Sequence, residues 1–235
     1  MLQDMSARET VPARAADVSI DELVLADDAR RWGALGFAVE ADCTVIGNVR
    51  IRFAGREATA DQGSGSRSAS GLLRWSLRGA SSSDLDGIPT SVSRSEPPTD
   101  AAPHPNGVVA IDHVVVFSPQ LDRTVGALRA AGLDLRRIRE EPTPAGAPRQ
   151  AFFRLGAEIL EVIQLPRERL DAAGGGDAPA RLWGLALIAA DIDATLARLA
   201  PHVSEARDAV QEGRRIATLR RSAGLAVPVA LMTRR

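Results

Sequence analysis

The stretch from Ile111 to Pro166 constrains this chain more than any other. It opens on Ile111-Asp112-His113-Val114-Val115-Val116-Phe117, a β-branched apolar run that reads as a buried strand. A helical pattern follows through Leu121 to Leu128 and stops at Gly132. Three more strand-like runs, Leu133 to Arg139, Arg149 to Leu155 and Glu158 to Leu165, are separated by a Pro/Gly turn and by Gly156. The order is β-α-β-β-β. It returns after a Gly-rich linker, Ala172 to Ala180: Arg181 to Ile188 reads as a strand, and Ile192 to Leu199 as a helix with Asp191 or Asp193 as N-cap. Val203 to Val210, Arg214 to Arg221 and Leu225 to Met232 then read as strands, with Gly213 and Gly224 at the turns. A supersecondary unit that recurs at the same order and size is one structural module used twice.

An incomplete copy precedes both. Val18 to Leu25 reads as a strand, Asp27 to Leu35 as a short helix, and Phe37 to Ala41 and Thr44 to Phe53 as further strands. Arg56 to Ser70 is a Gly/Ser-rich loop, Leu72 to Arg78 a strand, and Asp84-Leu85-Asp86-Gly87 matches Asp191-Ile192-Asp193 without leading to a helix. The expected organisation is therefore α+β: a degenerate domain over 17–93, a Pro-rich linker over 94–106 and a two-module domain over 107–235. An incomplete module leaves a sheet edge to cover, so the first part is expected to pack on the second or on a partner chain, and a homodimer is one option.

Two polar residues interrupt the apolar strands of the first complete module: His113 in its first strand, and Glu161 in its last, flanked at period two by Ile159 and Ile163. With a His and a Glu in those places, the unit resembles the βαβββ module of the vicinal oxygen chelate superfamily, to which glyoxalases, bleomycin-resistance proteins and extradiol dioxygenases belong. The resemblance implies that two modules pair, that their mixed sheets curl round a cavity, and that first and fourth strands supply up to four ligands to a divalent metal. Such a metal (Fe, Mn, Ni or Zn) polarises a substrate with adjacent oxygens, and the chemistry is that of a lyase, isomerase or dioxygenase. His113 and Glu161 stand where two ligands are expected, and Glu161 also where a catalytic base is expected.

The second module departs from that pattern. Counting from Asp193 as His113 lies from Asp122 reaches Gly184, and counting from Gly224 as Glu161 lies from Gly156 reaches Val229. Three alternatives stand. His113 and Glu161 hold a metal with water or with an outside ligand such as Glu22. The cavity is metal-free and binds a small apolar or anionic molecule, lined by Trp183, Phe117 and Phe153. Or the two residues are a hydrogen-bonded pair inside a core.

Arg214, in the hairpin Gln211-Glu212-Gly213-Arg214-Arg215, can direct a guanidinium to a substrate carboxylate or lie on a solvated edge. Arg136, Arg137 and Arg139 fall under the same choice, because both strand faces carry them. His104 and His202 read as surface residues. All 29 basic residues are arginine and the net charge is −1, so no global field draws the chain to nucleic acid or anionic lipid. The single Cys43 rules out an internal disulfide framework, and no apolar run reaches membrane-spanning length. A cytoplasmic protein with a small-molecule ligand is expected.

Overall fold

The structure, a computed structural model, describes residues 17–55, 71–99, 101–143, 146–171 and 174–234. The loop expected over 56–70 lies outside them, as do residues 172–173 of the expected Gly-rich linker.

The first complete module runs β6 (Val108–Ser118), α2 (Leu121–Ala130), β7 (Asp134–Arg139), β8 (Gln150–Leu155) and β9 (Glu158–Gln164). Helix α2 buries Leu121, Thr124, Val125 and Leu128, the spacing that turns one helical stripe to a sheet. Just past its end Gly132 adopts φ +91°, a conformation only glycine takes at no cost. A single turn of helix, α3 (Arg167–Leu170), leads towards the second module: β10 (Arg181–Ala189), α4 (Ile192–Leu199), β11 (Arg207–Asp208), β12 (Arg215–Thr218) and β13 (Val229–Thr233). Asp191 caps α4, accepting the Ala194 N–H at 3.0 Å. Within each module the first and last strands pair in parallel, β6 with β9 and β10 with β13. The modules join through antiparallel β6–β10, so the sheet order is β11-β12-β13-β10-β6-β9-β8-β7.

The N-terminal segment builds a five-stranded sheet on the same plan. Its elements are β1 (Ser19–Leu25), α1 (Ala29–Ala34), β2 (Cys43–Ile46), β3 (Val49–Phe53), β4 (Leu72–Arg78) and β5 (Thr90–Ser93), ordered β2-β3-β1-β4-β5. Strand β1 pairs in parallel with β3 and antiparallel with β4, as β6 does with β9 and β10. Strand β5 runs parallel to β4, as β13 does to β10, with no helix between them.

Several expected boundaries move. Thr44 to Phe53 is a hairpin, broken where Gly47 takes φ +61°. The strand expected at Phe37 to Ala41 shrinks to one bridge, Glu40 to Cys43, and that at Val203 to Val210 to a bridge at Val203 and the two residues of β11. The Pro-rich segment is anchored: Arg50 Nη2 donates to the Glu96 carbonyl at 2.9 Å and Arg78 Nε to that of Ser95 at 2.7 Å. His104 is buried rather than on the surface. Its Nδ1 accepts the Ala38 N–H at 3.1 Å, its ring stands edge-on to Phe37, and burial pushes its pKa down.

One hydrophobic core serves both sheets. Ile20, Leu23, Trp32, Trp75 and Leu77 of the first share it with Val114, Val116, Leu128, Phe153, Leu160 and Leu187 of the second. Two buried or half-buried carboxylates bridge the sheets. Asp27 accepts the Trp32 indole N–H at 3.3 Å and the backbone N–H groups of Ala226 and Val227. Asp86 accepts from Arg123 Nε at 2.6 Å and from the Thr124 hydroxyl. Among the described residues no helix is long and apolar enough to cross a membrane.

Candidate functional site

The eight-stranded sheet has one face in the core. Val114, Val116, Ala151, Phe153, Leu160 and Val162 alternate onto it, all completely buried. The other face carries what lies between them, and the strand register puts these residues in rows. One row runs Arg139, Gln150, Ile163, Phe117, Arg181; the next Arg137, Phe152, Glu161, Val115, Gly184; the third Arg154, Ile159, His113, Ala186, Ala230. Most of the apolar members keep partial exposure, so this is a half-open apolar surface with His113 and Glu161 near its middle.

A β-bulge gives the site its second carboxylate. Ala186 pairs with His113 and Leu187 with Ile111, which leaves Asp112 unpaired in β6. The same irregularity falls at Asp21 in β1 and at Trp183 in β10, the corresponding places of the other modules. In two of the three the bulged residue is a buried aspartate gripped by arginine. Asp21 is held by Arg50, Arg78 and the Ser76 and Ser93 hydroxyls. Asp112 accepts from Arg214 Nη2 at 2.7 Å and from His113 Nδ1 at 2.8 Å.

Those contacts define the electrostatics. Burial alone would raise the Asp112 carboxyl, but the His113 and Arg214 hydrogen bonds and charges outweigh it and hold it down at about 2. An ionised Asp112 only accepts, so His113 Nδ1 carries the proton shared with it. Nε2 is left facing Glu161 Oε2 at 3.4 Å. The other Glu161 oxygen accepts from the Gln150 side-chain amide. Burial pushes the Glu161 carboxyl up, the nearby imidazole opposing it and the Asp112 charge reinforcing it. The result is an imidazole fixed in orientation beside a carboxyl that resists ionisation, a pair able to hydrogen-bond an oxygen-bearing ligand and to exchange a proton with it.

Of the expected site residues, His113 and Glu161 come together, and Phe117 and Trp183 stack with ring centroids 4.8 Å apart on the same face, Arg181 lying over Phe117. Phe153 does not line the site: it is fully buried on the core face, and Phe152 takes its place. Arg214 is not free for a substrate either. It is 5% exposed and spent on Asp112, the Thr233 carbonyl and Gln211. Glu22 lies in the other sheet, bound by Arg52 at 2.9 Å. Sequence reasoning missed Asp112, Gln150 and Phe152. Asp112 adjoins His113, but strict alternation sends it to the opposite face, and only the bulge brings its carboxylate to the imidazole.

The set does not fit a metal held by four protein ligands. The register puts Gly184 where the second module needs a counterpart of His113, and Ala230, not Val229, where it needs one of Glu161. A side chain at Gly184 would force the backbone to shift, since a Cβ there would stand 2.9 Å from the Pro228 carbonyl oxygen. Among the described residues no three His, Cys, Asp or Glu side chains are grouped to hold a metal.

Paired βαβββ modules joined through their first strands, each closing its first strand on its fourth in parallel, are the arrangement that the resemblance of the sequence to the vicinal oxygen chelate superfamily implies. Solved structures similar to this chain include methylmalonyl-CoA epimerase from Mycobacterium tuberculosis, at 19% identity over 55% of this chain and 90% of that one, TM-score 0.44. A variant of the Streptomyces coelicolor epimerase in complex with 2-nitronate-propionyl-CoA is similar at 26% identity over 52% and 95%, TM-score 0.42. The hypothetical protein BH1468 from Bacillus halodurans is similar at 14% identity over 53% and 94%, TM-score 0.43. Each spans about half of this chain. No family model and no curated protein matches it.

Proposed function

We propose that this chain binds a small oxygen-bearing metabolite on the outer face of its eight-stranded sheet, without a resident metal, and that His113 and Glu161 are the polar pair that recognises it. The observation that carries the reading is a single one: a His–Glu pair set by Asp112 lies in the middle of a half-exposed apolar face, while the two positions that would complete a metal site are Gly184 and Ala230. Phe117 and Trp183 supply apolar contact, and the pair supplies one donor and one acceptor. Where the ligand bears an acidic proton, Glu161 and His113 are placed to take and return it. On this reading residues 107–235 form the binding domain, and residues 17–93 a degenerate copy that supports it.

Two measurements test this. Metal content of tag-free protein, with titration of Mn, Fe(II), Ni and Zn into wild type and His113→Ala, is expected to show no stoichiometric ion and no difference between the two proteins. Near-stoichiometric metal that is lost in His113→Ala would overturn the metal-free reading. Fluorescence titration with the neutral apolar probe N-phenyl-1-naphthylamine is expected to show binding that weakens in Trp183→Ala and Phe117→Ala.

A further inference from the structure

Strand β7 carries three arginines in four positions, Arg136, Arg137 and Arg139. A bulge at Arg136 decides where they go: Leu135 pairs with Phe153 and Ile138 with Ala151 on the core face, while Arg137 pairs with Phe152 and Arg139 with Gln150 on the site face. The edge strand thus gives its apolar pair to the core and a pair of guanidinium groups to the surface that holds His113 and Glu161. Arg136, the bulged one, is occupied by Asp134 at 3.0 Å.

The two on the site face are less engaged than Arg136. The Arg137 side chain has no hydrogen bond or ion pair with any described residue, and among the described residues the Arg139 side chain reaches only Glu141, at 3.9 Å, whose side chain is 76% exposed. Several arginines that lie near the sheet are instead paired with carboxylates: Arg149 with Glu140 and Asp122, Arg123 with Asp86, Arg214 with Asp112. Arg154 extends the positive end of this face, on β8. Residues two apart on a strand lie about 7 Å from each other, near enough for two guanidinium groups to grip one carboxylate or phosphate. Glu161 is two strands away, about 10 Å from Arg137, with the half-buried ring of Phe152 between them. The chain's net charge of −1 supplies no general attraction for anions, so a preference for them has to be local.

We infer that the ligand of this face is an amphipathic anion: its carboxylate or phosphate is held by Arg137 and Arg139 at the β7 edge, its apolar body crosses Phe152, and its oxygen-bearing end meets Glu161 and His113. This rests on the binding reading above and names the ligand class for it.

The test uses two probes that differ only by an anionic group, 8-anilinonaphthalene-1-sulfonate and its neutral parent N-phenyl-1-naphthylamine, titrated into the full chain at low salt. Charge-assisted hydrogen bonds lead us to expect that Arg137→Gln/Arg139→Gln loses about tenfold or more in affinity for the sulfonate and less than about twofold for the neutral probe. Both arginines lie at a partly exposed edge, and an unchanged circular dichroism spectrum and melting temperature will confirm that the double variant folds. A sulfonate-to-neutral affinity ratio equal to that of wild type, or equal losses for both probes, would overturn the inference, leaving arginines that only guard the sheet edge. Trp183→Ala separates the two levels of the argument. If neither probe responds to it, the face is not the binding site and the parent reading fails. If both respond while the arginine variant leaves the ratio unchanged, the anion inference alone fails.

Discussion

Asp112 ties the candidate site to the stability of the fold. It and Arg214 are each about 5% exposed, and each is the other's charge partner. A buried pair adds little net stability compared with a well-packed apolar one, but removing one member strands the other. Asp112→Asn keeps the shape and deletes the charge. It is expected to cost about 3 kcal/mol at neutral pH, read as a lower urea midpoint with an unchanged denaturant slope. The deficit has a pH signature. The Asp112 carboxyl sits at about 2 against an ordinary 3.8, so its contribution is complete above 3.8 and is lost as pH falls through 2. Wild type and variant should therefore converge in acid, and a deficit constant from pH 7 to pH 2 would count against the pairing. The substitution also leaves one acceptor oxygen for two donors, Arg214 and His113, and sets an NH2 against the other, so the hold on the His113 ring loosens and probe binding should weaken.

At the scale of elements, the bulges shape this sheet, and Gly184 follows from one of them. Trp183 is the bulged residue of β10, and the next residue lies so close to β13 that Leu185 N–H bonds the Pro228 carbonyl at 3.0 Å. Gly184→Ala forces a methyl group against that carbonyl and is expected to lower stability by about 1–3 kcal/mol in thermal or urea unfolding. Gly184→His should be destabilised further and show no gain in Zn or Ni affinity, because the backbone it would displace closes the space a ligand needs. These strands also show what a sequence discloses. Module order was legible because β-branched runs, helical stripes and glycine stops are local signals. His113 and Glu161 were legible because each is polar in an otherwise apolar strand. Which face a residue takes depends on pairing with another strand, where one residue of slip inverts everything. That is why Phe153 and Phe152 changed places and the counterpart of Glu161 moved from Val229 to Ala230. Arg214 was misread for a related reason: its partner Asp112 lies 102 positions away in sequence.

Over the whole molecule, the two sheets meet in one core, and a carboxyl is trapped at their seam. Glu158 opens β9 on the core face, beside the approach of Gly156 to Ser19 of β1, where an added Cβ would come within 3.0 Å of the serine side chain. Only 4% of Glu158 is exposed. Its pKa rises from 4.5 to about 7 through burial, against weaker opposition from its own backbone N–H and from the charge of Arg78 on β4. A carboxyl raised in this way favours the folded state fully below 4.5, where it is protonated whether folded or not. That advantage is lost as pH rises through 7, because the unfolded chain ionises freely while the folded one has to ionise a buried group. The span corresponds to about 3 kcal/mol at most. Glu158→Gln fills the same space without a charge and should match wild type near pH 4 but exceed its stability above pH 7. Urea unfolding of both proteins from pH 4 to pH 8 measures the difference directly. If the seam is what desolvates Glu158, the gap will open between pH 4.5 and 7 and then level off, and both proteins will unfold in a single transition because the core they lose is shared. A gap that is constant with pH would mean that the carboxyl reaches water and that the two sheets pack less closely here than their contacts require.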